Sequence, residues 1–281
     1  MPIRLPGLVL GLLFGFDAAA EPYSVPVDSD YPKNVYWGDT HLHTRNSADA
    51  YSLGNLNLTP ADAFRFAQGR ELIAHNGMRV QLRRPLDFLV VSDHAEYLGG
   101  FYRFNINDPL VQGTDAADKW QGFVDAGETA KVYATFVASM QDPENNPALP
   151  ESTRRTIWED VALTADEHNK PGQFTAFTGY EWTSMINGNN LHRVVVYRDS
   201  ADKAKQLPPF SAQDSLDPRE LWKALARYEE ATGGEVLAIA HNGNLSNGMM
   251  FPSVSVDGKK IDRAYAELRS RWEPIYEVSQ V

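Results

Sequence analysis

No cysteine occurs among the 281 residues. That excludes disulfides, thiolate metal sites and cysteine nucleophiles together. Any bound metal must be held by His, Asp and Glu, the harder end of the ligand range. Basic residues are in the minority: 26 Lys and Arg stand against 37 Asp and Glu, for a formal net charge of -11. No basic run interrupts that balance, so a surface that tracks nucleic-acid phosphates is excluded. Internal repeats and low-complexity tracts are also absent. Past residue 20 no apolar run is long enough for a membrane span, which needs about 20 residues.

What is present suits a soluble enzyme. Hydrophobic residues make up 43% of the chain and charged residues 22%, a balance that supports an ordered core rather than disorder. The first twenty residues read as an export signal. Arg4 supplies the positive start, Leu5 to Phe16 the apolar run and Ala18-Ala19-Ala20 the cleavage site. The alternative is an uncleaved anchor, but no stop-transfer pattern follows. A periplasmic or secreted protein without stable membrane insertion is therefore expected. Residues 21–33, broken by Pro22, Pro26 and Pro32, form an irregular lead-in, and 34–281 form the working domain.

Short apolar runs then alternate with helical patterns. The strand candidates are 35–39, 87–92, 174–178, 192–197, 236–240 and 274–278. Thr59-Pro60 starts a helix that Gly69 stops, residues 152–169 carry an apolar stripe, Asp217-Pro218 opens a helix that ends at Gly233-Gly234, and 259–270 form a last amphipathic helix. This alternation predicts an α/β fold with a parallel sheet or barrel. Three long connections, 44–58, 95–113 and 242–258, follow strands, where parallel α/β folds build their sites.

The chemistry sits at those strand ends. His41 and His43 in Gly38-Asp39-Thr40-His41-Leu42-His43 face one way on an extended strand, so two imidazoles converge on one point. A pair of satisfied core histidines is the bland alternative. Ser92-Asp93-His94 directly follows an apolar strand. His94 suits a ligand, and Asp93 suits a residue that orients an imidazole, or one that merely caps the loop. Glu181 in Gly179-Tyr180-Glu181-Trp182 ends a third run and could bridge two cations, or form an ordinary salt bridge. His241 closes the 236–240 strand as His94 closes its own. His192 opens its strand, so strand geometry alone leaves it undecided. His75 and His168 read as surface or structural residues.

Taken together, HxH, DH, E, H and H in chain order resemble the PHP (polymerase and histidinol phosphatase) superfamily. The segments Trp37–Thr44, Arg84–Phe88, Ser92–Tyr97, Gly179–Trp182 and Glu273–Val278 are similar to an exported branch, the domain-of-unknown-function family 3604 (DUF3604). The resemblance implies a distorted (β/α)7 PHP-type barrel with two or three divalent metal ions (Zn, Mn or Fe). It implies His41, His43, Asp49, His94, Glu181, His192 and His241 as ligands. Asp49 and His192 enter on this ground alone. PHP proteins close on an Asp-x-His pair after a late strand, and none follows His241. A barrel lacking its last strand or strands, in a C-terminally truncated member, is therefore expected.

The expected function is metal-dependent hydrolysis of a small phosphorylated molecule by a metal-activated hydroxide. Asp93 is the candidate catalytic proton donor. Tyr180, Trp182 and the loops after His43, His94 and His241 are expected to shape the pocket. Arg45 and Arg193 are better placed for a phosphate than Arg83 and Arg84, which precede their strand. The rivals are an amidohydrolase-type reaction on a similar barrel and a non-catalytic exported metal- or ligand-binding fragment. Oligomeric state has no signal in the sequence.

Overall fold

Phe88–Val91, apolar throughout, forms a strand with neighbours on both sides and buries Leu89, Val90 and Val91. A strand this apolar must be covered on both faces, which makes it central. The computed structural model describes residues 32–142 and 146–278. The expected export segment and nearly all of the lead-in lie outside the described residues. Residues Tyr36–Val281 form one compact unit.

Six strands make the main sheet: β1 (Gly38–Leu42), β2 (Phe88–Val91), β3 (Thr175–Trp182), β4 (Arg193–Tyr197), β5 (Val236–Ala240) and β6 (Ile275–Tyr276). They lie side by side in chain order. The sheet curls into a half-barrel within a mixed α/β fold. Among the described residues there is no seventh strand in it. The first strand is shifted from its expected place. Val35, Tyr36 and Trp37 are exposed, and pairing begins only at Gly38. β3 runs four residues past the expected end, so Glu181 lies within the strand and not after it.

The sheet is not wholly parallel. β1, β2 and β3 are parallel neighbours, as are β5 and β6, but β4 is antiparallel to both β3 and β5. The physical reason is the short segment between β3 and β4. It holds a small hairpin, Met185–Ile186 with Asn189–Asn190, and a parallel crossover needs roughly a dozen residues or more. The reversal brings the start of β4 to the rim where its neighbours end.

Alternation along the strands sorts the side chains into two sets. Val90, Val194 and Ile239 pack together with Phe177, Val196 and Leu237 on the inner face of the curl. The other parity packs under helices. Leu89, Val91 and Ala176 meet Phe64 and Ala67 of the helix Pro60–Ala67. Tyr180, Trp182, Val195 and Tyr197 join Trp158 and Trp222 from the helices Glu151–His168 and Pro218–Thr232. Thr59 caps the helix Pro60–Ala67 through a reciprocal pair with Asp62. The connection after β2 holds three helices not expected from sequence, Gly100–Asn105, Asp115–Asp125 and Thr129–Gln141.

Gly179 lies on β3, between β2 and β4. A Cβ there would lie 2.8 Å from the carbonyl oxygen of Val195 and would also collide with the side chain of Val90. Gly179→Ala is expected to destabilise the fold by about 1–3 kcal/mol, read as a lower denaturant midpoint. An unchanged midpoint would show that the sheet yields there freely.

Candidate metal centre

The inner-face parity changes from apolar to ligating at one rim of the sheet, within the end of β3 and just outside β2, β4 and β5. His94 follows Val90 on that parity, Glu181 follows Phe177 and Gly179, His192 precedes Val194, and His241 follows Ile239. The β2–β3 ladder extends to the site through a bridge between His94 and Glu181, with Ala95 N donating to Glu181 O at 2.8 Å. His241 N reaches His192 O at 3.3 Å across β4 and β5.

Five of the seven histidines thus meet one carboxylate. Around Glu181 Oε2 lie His43 Nε2 at 2.8 Å, His94 Nδ1 at 3.3 Å and His41 Nε2 at 3.4 Å. Around Oε1 lie His192 Nδ1 at 2.7 Å and His241 Nε2 at 2.9 Å. Glu181 is wholly buried. Two triads suit a cation each: His41, Glu181 and His241, and His43, His94 and Glu181. Glu181 belongs to both, so it would bridge.

Two further carboxylates grip the backs of the rings. Asp49, on the short helix Ala48–Ser52, approaches His43 Nδ1 at 3.0 Å and His94 Nε2 at 3.6 Å. Glu277, just past β6, lies 3.1 Å from His41 Nδ1. Thr183 Oγ1 lies 2.5 Å from His94 Nδ1. Carboxylates on the Nδ1 atoms of His41 and His43 fix their tautomers and aim Nε2 at Glu181, while Thr183 holds the His94 nitrogen that itself faces Glu181.

The electrostatics follow from this packing. Burial opposes ionisation of Glu181, but the surrounding imidazoles, His94 and His241 first, hold its carboxyl well below the usual range. Asp49 is also disfavoured by burial, yet His94 and His43 hold it low. Burial would lower His43, but Asp49 and Glu181 push it well up. For His192 and His241 burial wins and their pKa values fall, which favours the neutral, ligating form.

A divalent cation fits this donor set. His43 Nε2 and Glu181 Oε2 are buried and close, yet neither has a hydrogen-bond partner. His192 Nε2 and His241 Nδ1 are likewise buried and unpartnered. Leaving so many polar atoms unsatisfied in one place is costly. Imidazole and carboxylate are donor types that can hold such a cation without thiolate.

Over residues 30–281 the sequence matches the family described as "Protein of unknown function (DUF3604)". The chain belongs to that family. No curated protein and no solved structure matches it. The DUF3604 match spans all five clustered histidines, Asp49, Glu181 and Glu277.

Of the residues expected at the site from the PHP resemblance, His41, His43, Asp49, His94, Glu181, His192 and His241 are all brought together. Asp93 is not. It stands on the opposite parity from His94, fully buried, with Oδ1 accepting from Thr44 N at 2.5 Å and Oδ2 from Thr44 Oγ1 at 2.8 Å. Its side-chain hydrogen bonds go to Thr44, so it holds the chain next to His43. Burial pushes its carboxyl up to about 6. Tyr180 and Trp182 flank Glu181 and therefore point the other way, into the core under the helices. Arg45 lies over the Tyr102 ring and lines a different cavity. Arg193 is buried against Glu273. His75 is exposed, while His168 stacks on Phe64.

Sequence reasoning missed Glu277, which lies inside the expected strand 274–278, one residue from its end. It also missed the pocket wall. A cavity of about 320 Å³ opens over the cluster, lined by Tyr133, Phe136 and Val137 of the helix Thr129–Gln141, with Met185, Asn190 and Asn242. Nothing in that helix's sequence signals chemistry.

Proposed function

We propose that this DUF3604 protein is an exported metal-dependent hydrolase, a phosphoesterase built on a PHP-type barrel. The observation that carries the reading is one buried carboxylate, Glu181, shared by five imidazoles from four strand ends, with its Oε2 lacking a hydrogen bond. His41, His43, His94, His192, His241 and Glu181 would hold two or three Zn, Mn or Fe ions, with Asp49 as a further ligand or as the partner of His43. When bound, such ions lower the pKa of water and neutralise charge on phosphoryl oxygens.

The chain's own residues supply orientation. Glu277 and Asp49 set the tautomers of His41 and His43, and Thr183 positions His94. Asp93 keeps Thr44, and so His43, in place, which is a positioning role and replaces the proton-donor role expected from sequence. The apolar wall over the cluster excludes water from one side of the pocket.

The test is metal content with turnover. The purified protein is expected to carry divalent metal and to hydrolyse an aryl phosphate ester. Changing His41 and His43 together to Ala should bring both to background while removing little apolar packing. Full metal occupancy in that variant would sink the central claim. Cleavage of amides but not phosphoesters would move the assignment to an amidohydrolase, and bound metal without any turnover would favour a binding module.

A further inference from the structure

We infer that the cavity over the histidine cluster selects a singly charged phosphodiester bearing a flat apolar group, and disfavours small phosphomonoester dianions. This rests on the hydrolase reading above. The first observation is charge. No Lys or Arg is among the described residues lining the cavity, whereas Asp49 and Glu181 line it and Glu277 stands behind His41. Phosphoryl-transfer sites that accept highly charged groups usually add Arg or Lys clamps to their metals. The two arginines nearest the cluster in sequence are committed elsewhere. Arg45 stacks on Tyr102 at 3.5 Å and lines a separate cavity, and Arg193 is locked to Glu273 at 2.9 Å. The metals would meet the phosphoryl oxygens of either ester, their charge partly offset by Asp49, Glu181 and Glu277, and the wall holds no side-chain cation to meet a second negative charge.

The second observation is the wall itself. Tyr133, Phe136, Val137 and Met185 form one side of the cavity. Phe136 is buried against the His94 ring at 5.6 Å between centroids, but Tyr133 is 41% exposed, and no ring of the described residues lies against it. An aromatic face open at the rim of a reactive pocket suits a flat apolar substituent. It cannot solvate a charged oxygen. The hydroxyls of Tyr133 and Thr183, with Asn190 and Asn242, are the neutral hydrogen-bonding groups of the lining.

Hydrolysis of such a diester forms one P–O bond from water and breaks one P–O(aryl) bond. It yields a monoester dianion and a phenol and releases a proton. The product carries a second negative charge for which the wall supplies no side-chain cation, so the same feature that selects the substrate eases release of the product.

The experiment uses the full, metal-loaded chain. Calorimetry compares diphenylphosphinate, a singly charged ligand with no ester to cleave, with phenylphosphonate above its second ionisation. Turnover compares bis(para-nitrophenyl) phosphate with para-nitrophenyl phosphate. The expected result is tighter binding of diphenylphosphinate and a higher kcat/KM for the diester. Tyr133→Ala should weaken diphenylphosphinate by about tenfold and leave inorganic phosphate binding and metal content unchanged. Tighter phenylphosphonate, a preferred monoester, or a Tyr133→Ala variant that loses nothing would overturn the inference while leaving the hydrolase reading intact. Metal bound with no turnover of either ester would fail the hydrolase reading, and the two calorimetric titrations would then decide the ligand preference by themselves.

Discussion

Glu181→Gln is expected to leave the protein unable to retain metal at either half of the cluster. Gln keeps the volume and removes the charge. Asp49 reaches only His43 and His94, and Glu277 only His41, so neither replaces a carboxylate that all five imidazoles share. Two cations held side by side without a bridging negative charge would repel each other strongly. Affinity should fall by more than ~100-fold, beyond the ~10–100-fold typical of removing an outer partner. His241→Ala, by contrast, touches one triad only and should spare the other. The fold should survive Glu181→Gln, because the backbone ladder at Glu181 runs through its N to Asp93 O and through its O from Ala95 N. Metal-to-protein ratios after passage through metal-free buffer, with circular dichroism as the fold control, measure this. A Glu181→Gln protein that keeps its full metal would show that the carboxylate does not bridge.

Loss of Glu273 should cost more stability than any other single change proposed. Its carboxylate and the Arg193 guanidinium are each only 2% exposed and lie 2.9 Å apart. Trp222 Nε1 donates to Glu273 Oε1 at 2.8 Å, Arg269 Nε donates to Oε2 at 2.9 Å, and Arg193 also donates to Leu191 O. The network ties β4 to the segment that enters β6. Removing one partner of a buried pair strands the other charge and costs about 3–5 kcal/mol. Glu273→Ala should therefore lower the urea midpoint strongly. Burial alone would raise the Glu273 pKa, but Arg193 and Arg269 hold it below the usual 4.5. The folded state thus binds this proton less readily than the unfolded chain does. The stabilisation is full above about 4.5 and is lost as pH falls through the lower folded value. In Glu273→Gln that part of the acid-side loss should vanish. An identical acid slope in both proteins would mean that the network does not set it. Glu277 stands four residues further on, so loosening this anchor should also free His41 from its partner.

Strand alternation was legible at His41 and His43 and holds throughout the site. His94 and His241 were legible as ionisable groups that end apolar runs, and Thr59-Pro60 as a helix start. The same alternation, carried one residue further, would have turned Tyr180 and Trp182 away from Glu181 and Asp93 away from His94. The reversal of β4 was also within reach, since its connection to β3 is too short for a crossover. The directions of Arg45 and Arg193 had no comparable signal. A long flexible side chain takes its direction from whatever packs beside it, here Tyr102 for one and Glu273 for the other.

By itself the sequence determined which residue types can act: no thiolates, a set of histidines and acids at the ends of apolar runs, and DUF3604 membership through its motifs. Local chemistry and a two-residue period suffice for that. Only the tertiary structure decided that five imidazoles share one carboxylate, that antiparallel β4 delivers His192 to the same rim, that Glu277 backs His41, and that Tyr133 walls the cavity. These depend on contacts between residues far apart in the chain, which strand order and the curl of the sheet create and no local pattern records.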